Sequence, residues 1–473
     1  MNTLYWHDYE TWGATPSQDK PSQFAGIRTD EDLNIIGDPL VIYCKPSDDC
    51  LPHPEACLLT GITPQKALND GLSEPIFFEK IHHELSQAKS CGVGYNSIRF
   101  DDEMTRYGLY RNFYDPYERE WQNGNSRWDI IDMVRLCYAL RPDTLEWPIN
   151  EKGAVSFKLE LLSQANGLLH DAAHDALSDV YATIALAKLI KQREPQLYQY
   201  AYELRNKQKV NALIDTVSRK PILHISSRFP VSNGCTALVV PLAPHPENKN
   251  SVIVYDLSED PTPLITCSAQ EITERLYIKQ SELSDGLTRI PLKEIHSNKS
   301  PMIATTKLLT DDAAHRLHID KAQCERHWQQ LQQVDITEKL HSVFSSQRFA
   351  PKVDPEQQLY DGFISAHDKQ VMQRIRGAEP ETLAHYSEEL KDSRLKALLF
   401  RYRARHYPDT LTAEERQQWQ EWRYLRLTDD NAGASITLDV YFERLSAYSD
   451  DPSVNQNIVR DLLDYGDHLL NEK

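Results

Sequence analysis

The chain has 473 residues and carries 52 Lys and Arg against 70 Asp and Glu, a formal net charge of −18. This length exceeds what one hydrophobic core usually organises, so two to four domains are expected. The negative charge argues against a protein that coats nucleic acid by bulk electrostatics, although a local basic channel remains compatible with it. Eight Cys without a CxxC pair argue against a zinc ribbon and against a disulfide-dense secreted scaffold.

The first 193 residues alternate predicted strands and helices. Four short apolar runs predict strands, the first three joined as a meander: 4–7, 23–28, 35–44 and 91–96. Four segments with helical spacing predict helices: 76–85, 101–112, 157–165 and 176–192. Antiparallel strands followed by strand and helix alternation predict a mixed sheet flanked by helices.

The pattern changes after this region. Short β-type runs separated by Pro, Asn and Asp at 221–301 predict a small barrel or sandwich. Helical spacing returns at 311–344, and 348–355, with two prolines, resembles a linker before an almost entirely helical remainder.

No targeting or membrane segment is expected. Residues 1–12 already carry charged side chains, and the most apolar later run, 182–190, is short and contains Lys188. We therefore expect a cytoplasmic protein with reduced thiols and no membrane association, and we expect it to be a monomer.

Asp8 and Glu10 stand two residues apart directly after the apolar run 4–7, in a segment that we also predict to be a strand, and strand residues i and i+2 project from one face. Both carboxylates can therefore reach one metal ion. Two acids on one face raise each other's pKa, so they favour compensation by a divalent cation. The alternative is a solvated acidic strand end.

Asp101 stands where a predicted helix begins, just after a strand and a loop. A carboxylate there is also a routine N-cap, and Asp102 and Glu103 suit a first helical turn, so a capping role stays open. Asp101 is preferred over Asp102 for its spacing from Asn96 and Phe100.

His174 and Asp179 lead into the helix predicted at 176–192. They would not share a helical face, but a helix that starts near Asp175 leaves His174 on the preceding loop, where it can fold back over Asp179. The alternative is an exposed loop histidine beside a capping aspartate.

Together, the motifs AspXGlu, AsnX3PheAsp and HisX4Asp resemble those of the DEDDh exonuclease superfamily. More narrowly, segments 7–13, 94–103 and 174–185 resemble bacterial exonuclease I, and the resemblance extends over essentially the whole chain. It implies an α/β fold with a mixed sheet, in three domains. These would be a ribonuclease-H-like exonuclease domain at 1–193, an SH3-like domain with added helices at 194–350 and a helical domain at 351–473.

That family processively degrades single-stranded DNA from the 3′ end to deoxynucleoside 5′-monophosphates, in DNA repair and recombination. By matching positions, Asp8, Glu10 and Asp179 would hold a tightly bound metal ion. Asp101 would help to place a second ion, and His174 would be the general base. Hard oxygen ligands suit Mg²⁺, with Mn²⁺ able to substitute, and two ions about 4 Å apart can stabilise both the attacking and the leaving oxygen.

Cations and aromatic residues interleave between 106 and 135, a pattern in which bases stack while guanidinium groups hold phosphates. The alternative is that the aromatics are core residues with solvated cationic neighbours. The resemblance assigns substrate contacts to Glu10, Arg106, Tyr117, Trp121, Arg135, Phe157 and Lys158. Lys158 stands where the family can carry Arg.

The resemblance also implies a partner, the acidic C-terminal tail of the single-stranded DNA-binding protein. Arg141 and Tyr200 match positions in the basic pocket that receives this tail.

Two other interpretations stay open. One is a DEDDh enzyme with another substrate, such as a small-RNA exonuclease or a proofreading subunit, which is usually much shorter. The other is a non-catalytic single-strand binding protein, which the intact set of four acids and His174 disfavours.

Overall fold

The computed structural model describes residues 2–168, 175–278, 280–283, 287–345 and 352–471. The chain divides into two compact units. The first unit consists of Met1–Ser126, His170–Tyr181 and Pro351–Lys473, and the second of Arg127–Leu169 and Ala182–Ala350. The predicted helical domain at 351–473 thus belongs to the same compact unit as the first strands.

Two sheets of five strands are present in the described part of the chain. Their strands, in chain order, are β1 (Thr3–Thr11), β2 (Pro21–Thr29), β3 (Ile35–Tyr43), β4 (Ser90–Gly94), β5 (Ser126–Asp129), β6 (Ile222–Ile225), β7 (Thr236–Pro244), β8 (Ser251–Asp256), β9 (Leu292–His296) and β10 (Met302–Thr305).

The described α-helices are, in chain order, α1 (Pro54–Thr60), α2 (Pro64–Asp70), α3 (Glu74–Leu85), α4 (Asp101–Arg111), α5 (Ile130–Leu140), α6 (Leu159–Ala165), α7 (Ala176–Arg193), α8 (Pro195–Glu203), α9 (Lys207–Leu213), α10 (Thr262–Thr266), α11 (Ala269–Tyr277), α12 (Asp311–Arg316), α13 (Lys321–Gln332), α14 (Thr337–Ser345), α15 (Ala366–Arg376), α16 (Tyr386–Glu389), α17 (Ser393–His406), α18 (Ala413–Thr428), α19 (Leu438–Tyr448) and α20 (Gln456–Asn471). None of them is long and apolar enough to cross a membrane.

The first sheet has the order β3-β2-β1-β4-β5. β1, β2 and β3 form the predicted antiparallel meander, while β4 runs parallel to β1. β1 is buried along most of its length, as expected for an inner strand with both faces covered. The prediction of a mixed sheet is confirmed.

The core of the first unit forms where β1 and β2 pack against α3 and α4. Tyr9 and Phe24 contribute from the strands, and Phe78 and Met104 contribute from the helices. A Cβ atom at Gly108 of α4 would lie 1.9 Å from the ring of Phe78. The close approach of α4 to α3 therefore requires glycine at this position.

The C-terminal helices pack on this unit through two further clusters. Tyr110 and Phe113, at and just beyond the end of α4, join a core with residues of α15 and α17. Trp12, just after β1, joins a core that includes residues of α19 and α20. Because the chain around β1 and α4 shares cores with these helices, the helical segment is part of the scaffold that positions both elements.

The sheet of the second unit has the order β10-β6-β7-β8-β9, with every neighbouring pair antiparallel. Strands β6 to β9 fall in the region, 221–301, where short β-type runs predicted a small β domain, and β10 lies just beyond it. The boundaries proposed for the three domains, at 193/194 and 350/351, stay a prediction.

Candidate metal and active site

Three predicted ligands lie together in the first unit. One carboxylate oxygen from each of Asp8, Glu10 and Asp179 lies within 4.8 Å of the other two. Asp8 and Glu10 project from β1 with the i, i+2 spacing that places strand side chains on one face. Asp179 lies in the first turn of α7. Glu10 is buried, and the other two are partly exposed.

Asp175, not Asp179, caps the start of α7. The Asp175 carboxylate accepts a hydrogen bond of 3.1 Å from the backbone N–H of Ser178, which is the usual N-cap contact. The backbone N–H of Ala176 donates to Oε1 of Gln23 at 3.4 Å, and Gln23 is the β2 partner of Glu10. These contacts connect the start of α7 to the strand beside the two acids.

Asp101 is the first residue of α4, and its N-cap residue, Phe100, makes no side-chain capping bond. The Oδ1 atom of Asp101 accepts a hydrogen bond of 3.1 Å from the backbone N–H of Tyr9, which stands between the two acids of β1. Asp102 instead forms an ion pair of 2.7 Å with Arg119. The geometry therefore distinguishes the two neighbours, because Asp101 contacts β1 whereas Asp102 has a buried cationic partner.

The acids act on one another electrostatically. Burial raises the pKa of Asp8 well above its usual value, and the charges of Asp101, Glu10, Asp179 and Asp175 raise it further. Burial, followed by the charges of Asp179, Asp101 and Asp175, raises the pKa of Glu10 to about 8. A bound divalent cation would favour the ionised carboxylates that these effects disfavour.

The donor set fits a hard divalent cation. Within the described residues, the group formed by Asp8, Glu10 and Asp179 offers only carboxylate oxygens, which are the ligands that Mg²⁺ and Mn²⁺ prefer. Asp101 lies close enough to raise the pKa of both strand acids, and its role with a second metal ion stays a prediction. His174, the predicted general base, lies outside the described residues.

Sequence reasoning missed two neighbours of this group. Asp175 adds a further negative charge close to Asp8 and Glu10. Its position just before the predicted helix was a signal for capping, but not for its proximity to β1. Gln23 had no sequence signal, because its contact with α7 joins positions 153 residues apart.

Arg106 is buried, and its guanidinium takes part in a network of hydrogen bonds and ion pairs. Its Nε and Nη2 atoms donate to Glu120 at 2.7 and 2.8 Å, and Nη1 donates to Glu103 at 2.6 Å and to the Tyr360 hydroxyl at 3.0 Å. The guanidinium also lies over the Tyr117 ring, 5.4 Å from its centre. Two carboxylates therefore already balance its charge, and its predicted contact with DNA stays a prediction.

The other predicted substrate contacts differ in exposure. Trp121 is 62% exposed in the first unit, so its ring is open to a stacking partner. In the second unit, Arg135 lies 5.7 Å from the centre of the Phe157 ring and binds Asp132 at 2.6 Å. Lys158 is exposed, and its ammonium lies 3.6 Å from Glu160.

Tyr200, one of the two predicted partner contacts, lines a cavity of about 420 Å³ in the second unit. The other lining residues are Pro195, Gln196, Gln199 and Glu203. The Tyr200 hydroxyl donates to the carbonyl of Ile303 at 2.8 Å. The guanidinium of Arg141 is about half exposed and lies 3.6 Å from the Glu194 carboxylate.

Three family models match consecutive parts of the chain. The model described as an exonuclease matches residues 5–187. The exonuclease I SH3-like domain matches 205–346, and the exonuclease I C-terminal domain matches 353–469.

Relatives match over nearly the full length. Exodeoxyribonuclease I of Haemophilus influenzae is 44% identical over 471 residues, which is 99% of each chain. The crystal structure of Escherichia coli exonuclease I in complex with a dA16 oligonucleotide aligns with a TM-score of 0.94 at 43% identity, covering 99% of this chain and 100% of the other. The zinc-bound form of the Escherichia coli complex with single-stranded DNA aligns over the same shares, with a TM-score of 0.92 and 43% identity.

Proposed function

This chain is an exonuclease that belongs to the exonuclease I family, and from that premise we propose that it degrades single-stranded DNA processively in the 3′-to-5′ direction. The products would be deoxynucleoside 5′-monophosphates, and the role would be in DNA repair and recombination. The predicted order of exonuclease, SH3-like and C-terminal domains is confirmed by the matching models. The observation that carries the proposed chemistry is the convergence of Asp8, Glu10 and Asp179.

These three acids would hold a divalent cation, and Asp101 would help to hold a second. The preference of carboxylate ligands for hard cations supports Mg²⁺, with Mn²⁺ able to substitute. When bound, such ions activate water and stabilise the charge that develops on the attacking and leaving oxygens of a phosphodiester.

The protein's own groups have distinct tasks in this proposal. His174 takes the proton of the attacking water, as a general base does. The Tyr9 N–H orients the Asp101 carboxylate through the bond of 3.1 Å. Glu10, besides holding the cation, is proposed to contact the substrate.

The remaining substrate contacts would be aromatic and cationic. The exposed ring of Trp121 suits stacking with a DNA base. Tyr117 is proposed to contact the same DNA strand. Phe157 and Lys158 are proposed to contact DNA near its 3′ end, and Arg135 is also proposed to contact DNA. Arg106, whose guanidinium also binds Glu120 and Glu103, is proposed to contact DNA as well.

We assign the partner contact to Arg141 and Tyr200. The cavity beside Tyr200 offers an apolar and aromatic wall, and the half-exposed Arg141 guanidinium offers a positive charge for an acidic tail. The enzyme is proposed to act as a cytoplasmic monomer.

Digestion of end-blocked strands tests the direction and the substrate. Purified protein with Mg²⁺ should shorten a 5′-blocked DNA single strand to mononucleotides and leave a 3′-blocked strand intact, and a chelator should abolish digestion of the 5′-blocked strand. Equal digestion of the 3′-blocked strand would refute the direction. Faster turnover of a matched RNA strand would favour the RNA-exonuclease alternative, and binding without any turnover would favour the non-catalytic one.

A further inference from the structure

Tyr9, the residue between Asp8 and Glu10, connects β1 to the helix that begins with Asp101. Its backbone N–H donates to Oδ1 of Asp101 at 3.1 Å. Its hydroxyl lies 3.0 Å from Oγ1 of Thr105, one turn further along α4. The same residue therefore contacts α4 through both its backbone and its side chain.

The direction of the hydroxyl contact follows from the second bond that Thr105 makes. Oγ1 of Thr105 donates its single proton to the backbone carbonyl of Asp101 at 2.8 Å, so it can only accept from Tyr9. The Tyr9 O–H is therefore the donor. Tyr9 and Asp101 are thereby linked twice, directly at the carboxylate and through Thr105 at the carbonyl.

The ring of Tyr9 is held in place by its neighbours. Tyr9 is 4% exposed, and its ring centre lies 4.9 Å from that of Phe24 and 6.5 Å from that of Phe77. A buried ring packed in this way has little freedom to rotate, so the position of its hydroxyl is set by β1 and the aromatic core. Thr105 is fully buried as well.

We propose that Tyr9 and Thr105 are positioning residues that set the distance between Asp101 and the acid pair on β1. Like charges at Asp8, Glu10 and Asp101 repel one another, and this repulsion acts to separate α4 from β1. The linked hydrogen bonds oppose that separation. Tyr9 and Thr105 thereby preserve the geometry needed for divalent-cation binding. This role rests on the proposed function of the acids as metal ligands.

Replacing the hydroxyl of Tyr9 or of Thr105 with an apolar group tests this role with little change in side-chain volume. Tyr9→Phe and Thr105→Val each break the chain of hydrogen bonds, whereas Thr105→Ser retains the hydroxyl. Mn²⁺ binding to the DNA-free, full-length protein is measured from the electron paramagnetic resonance signal of free Mn²⁺. Each disruptive variant should bind Mn²⁺ about 10-fold more weakly, as is typical when a partner of a metal ligand is lost.

The double variant and the serine variant distinguish a shared role from independent damage. Because both hydroxyls serve one connection, Tyr9→Phe combined with Thr105→Val should weaken binding no more than about threefold beyond either single change. Thr105→Ser should bind within about twofold of the unmodified protein, because its hydroxyl can make both bonds.

Tyr441→Phe is the matched control. The Tyr441 hydroxyl is also buried and donates to the carbonyl of Leu462 at 2.7 Å, but it lies in the core shared with α20. This variant should retain normal Mn²⁺ affinity, and thermal unfolding is measured to check that each variant is folded at the assay temperature.

Unchanged Mn²⁺ affinity in Tyr9→Phe and Thr105→Val would overturn the inference, while leaving the metal assignment intact. An equal loss in Tyr441→Phe would also overturn it, because the effect would then be general destabilisation. An unmodified protein that binds no Mn²⁺ would refute the proposed metal site itself and this inference with it.

Discussion

Arg405 on α17 binds Asp49, in the segment after β3, through two hydrogen bonds of 3.0 and 2.8 Å. Both side chains are almost completely buried. Arg405 also binds Glu356 at 2.6 Å, so one guanidinium serves two carboxylates. This buried network joins the C-terminal helices to the strand-bearing part of the first unit.

We predict that acid weakens this connection. Burial by itself would raise the pKa of Asp49, but Arg405 and Lys20 outweigh it and hold this pKa well below the usual value. The pKa of Glu356 is lowered in the same way, because Arg405 and Arg401 outweigh its burial. Stability from a lowered pKa is present above the unfolded value of about 4 and is lost as the pH falls through the folded value. The free energy of unfolding, measured in urea, should therefore fall steeply below about pH 4.

Asp49→Asn tests the source of that loss. At neutral pH the substitution removes one carboxylate partner of Arg405 and should reduce the free energy of unfolding by about 3–5 kcal/mol. The free energy of unfolding of this variant should also decrease less steeply below pH 4 than that of the unmodified protein. Glu389→Gln is the control, because the Arg374–Glu389 pair is largely exposed and should contribute at most about 1 kcal/mol. Equal effects of the two substitutions would contradict this prediction.

Asp179→Ala should abolish cleavage and leave binding largely intact. The substitution removes one of the three oxygens that converge, and α7 keeps its cap because Asp175 provides it. Turnover of a single strand is measured with Mg²⁺, and binding is measured by fluorescence anisotropy in a chelator. Near-normal cleavage would refute the metal assignment.

Asp101→Asn should mainly lower turnover, whereas Asp102→Asn should mainly lower stability. Asp101→Asn should lower turnover while the protein unfolds at nearly its normal temperature, because the amide oxygen can still accept from the Tyr9 N–H. Asp102→Asn removes the closer of the two carboxylates that pair with the buried Arg119, the other being Glu120 at 3.8 Å, so it should cost about 3–5 kcal/mol of stability. Turnover and urea unfolding are measured for both. If Asp102→Asn were the one that lost turnover at unchanged stability, the roles of the two residues would be reversed.

His174→Ala should lower turnover by about 10² to 10⁴, the usual contribution of a general base. DNA binding in a chelator should not change, because the proton transfer belongs to the chemical step. Single-turnover kinetics provide the measurement. His83→Ala is the control, since His83 on α3 has no proposed role in the site, and a normal rate for His174→Ala would remove that residue from the mechanism.

Much of the site followed from local rules. The spacing of Asp8 and Glu10 places both on one face of any strand, whatever surrounds it. The mixed sheet and the start of α4 at Asp101 also agreed with periodicity and turn signals. The three motifs in segments 7–13, 94–103 and 174–185, taken together, predicted the family to which the chain belongs.

The sequence by itself therefore determined which secondary structures present the proposed ligands, because strand alternation and helix starts depend on neighbours a few positions away. Tertiary structure decided which charges have partners. Asp102 meets Arg119 17 residues away, Arg106 meets Tyr360 254 residues away, and Tyr9 meets Asp101 92 residues away. Such pairings arise when β1, α4 and the C-terminal helices pack together, and no local spacing contains them. The preference for Asp101 over Asp102 already followed from motif spacing, but the contacts that distinguish the two residues, and the connection through Tyr9 and Thr105, required the folded protein.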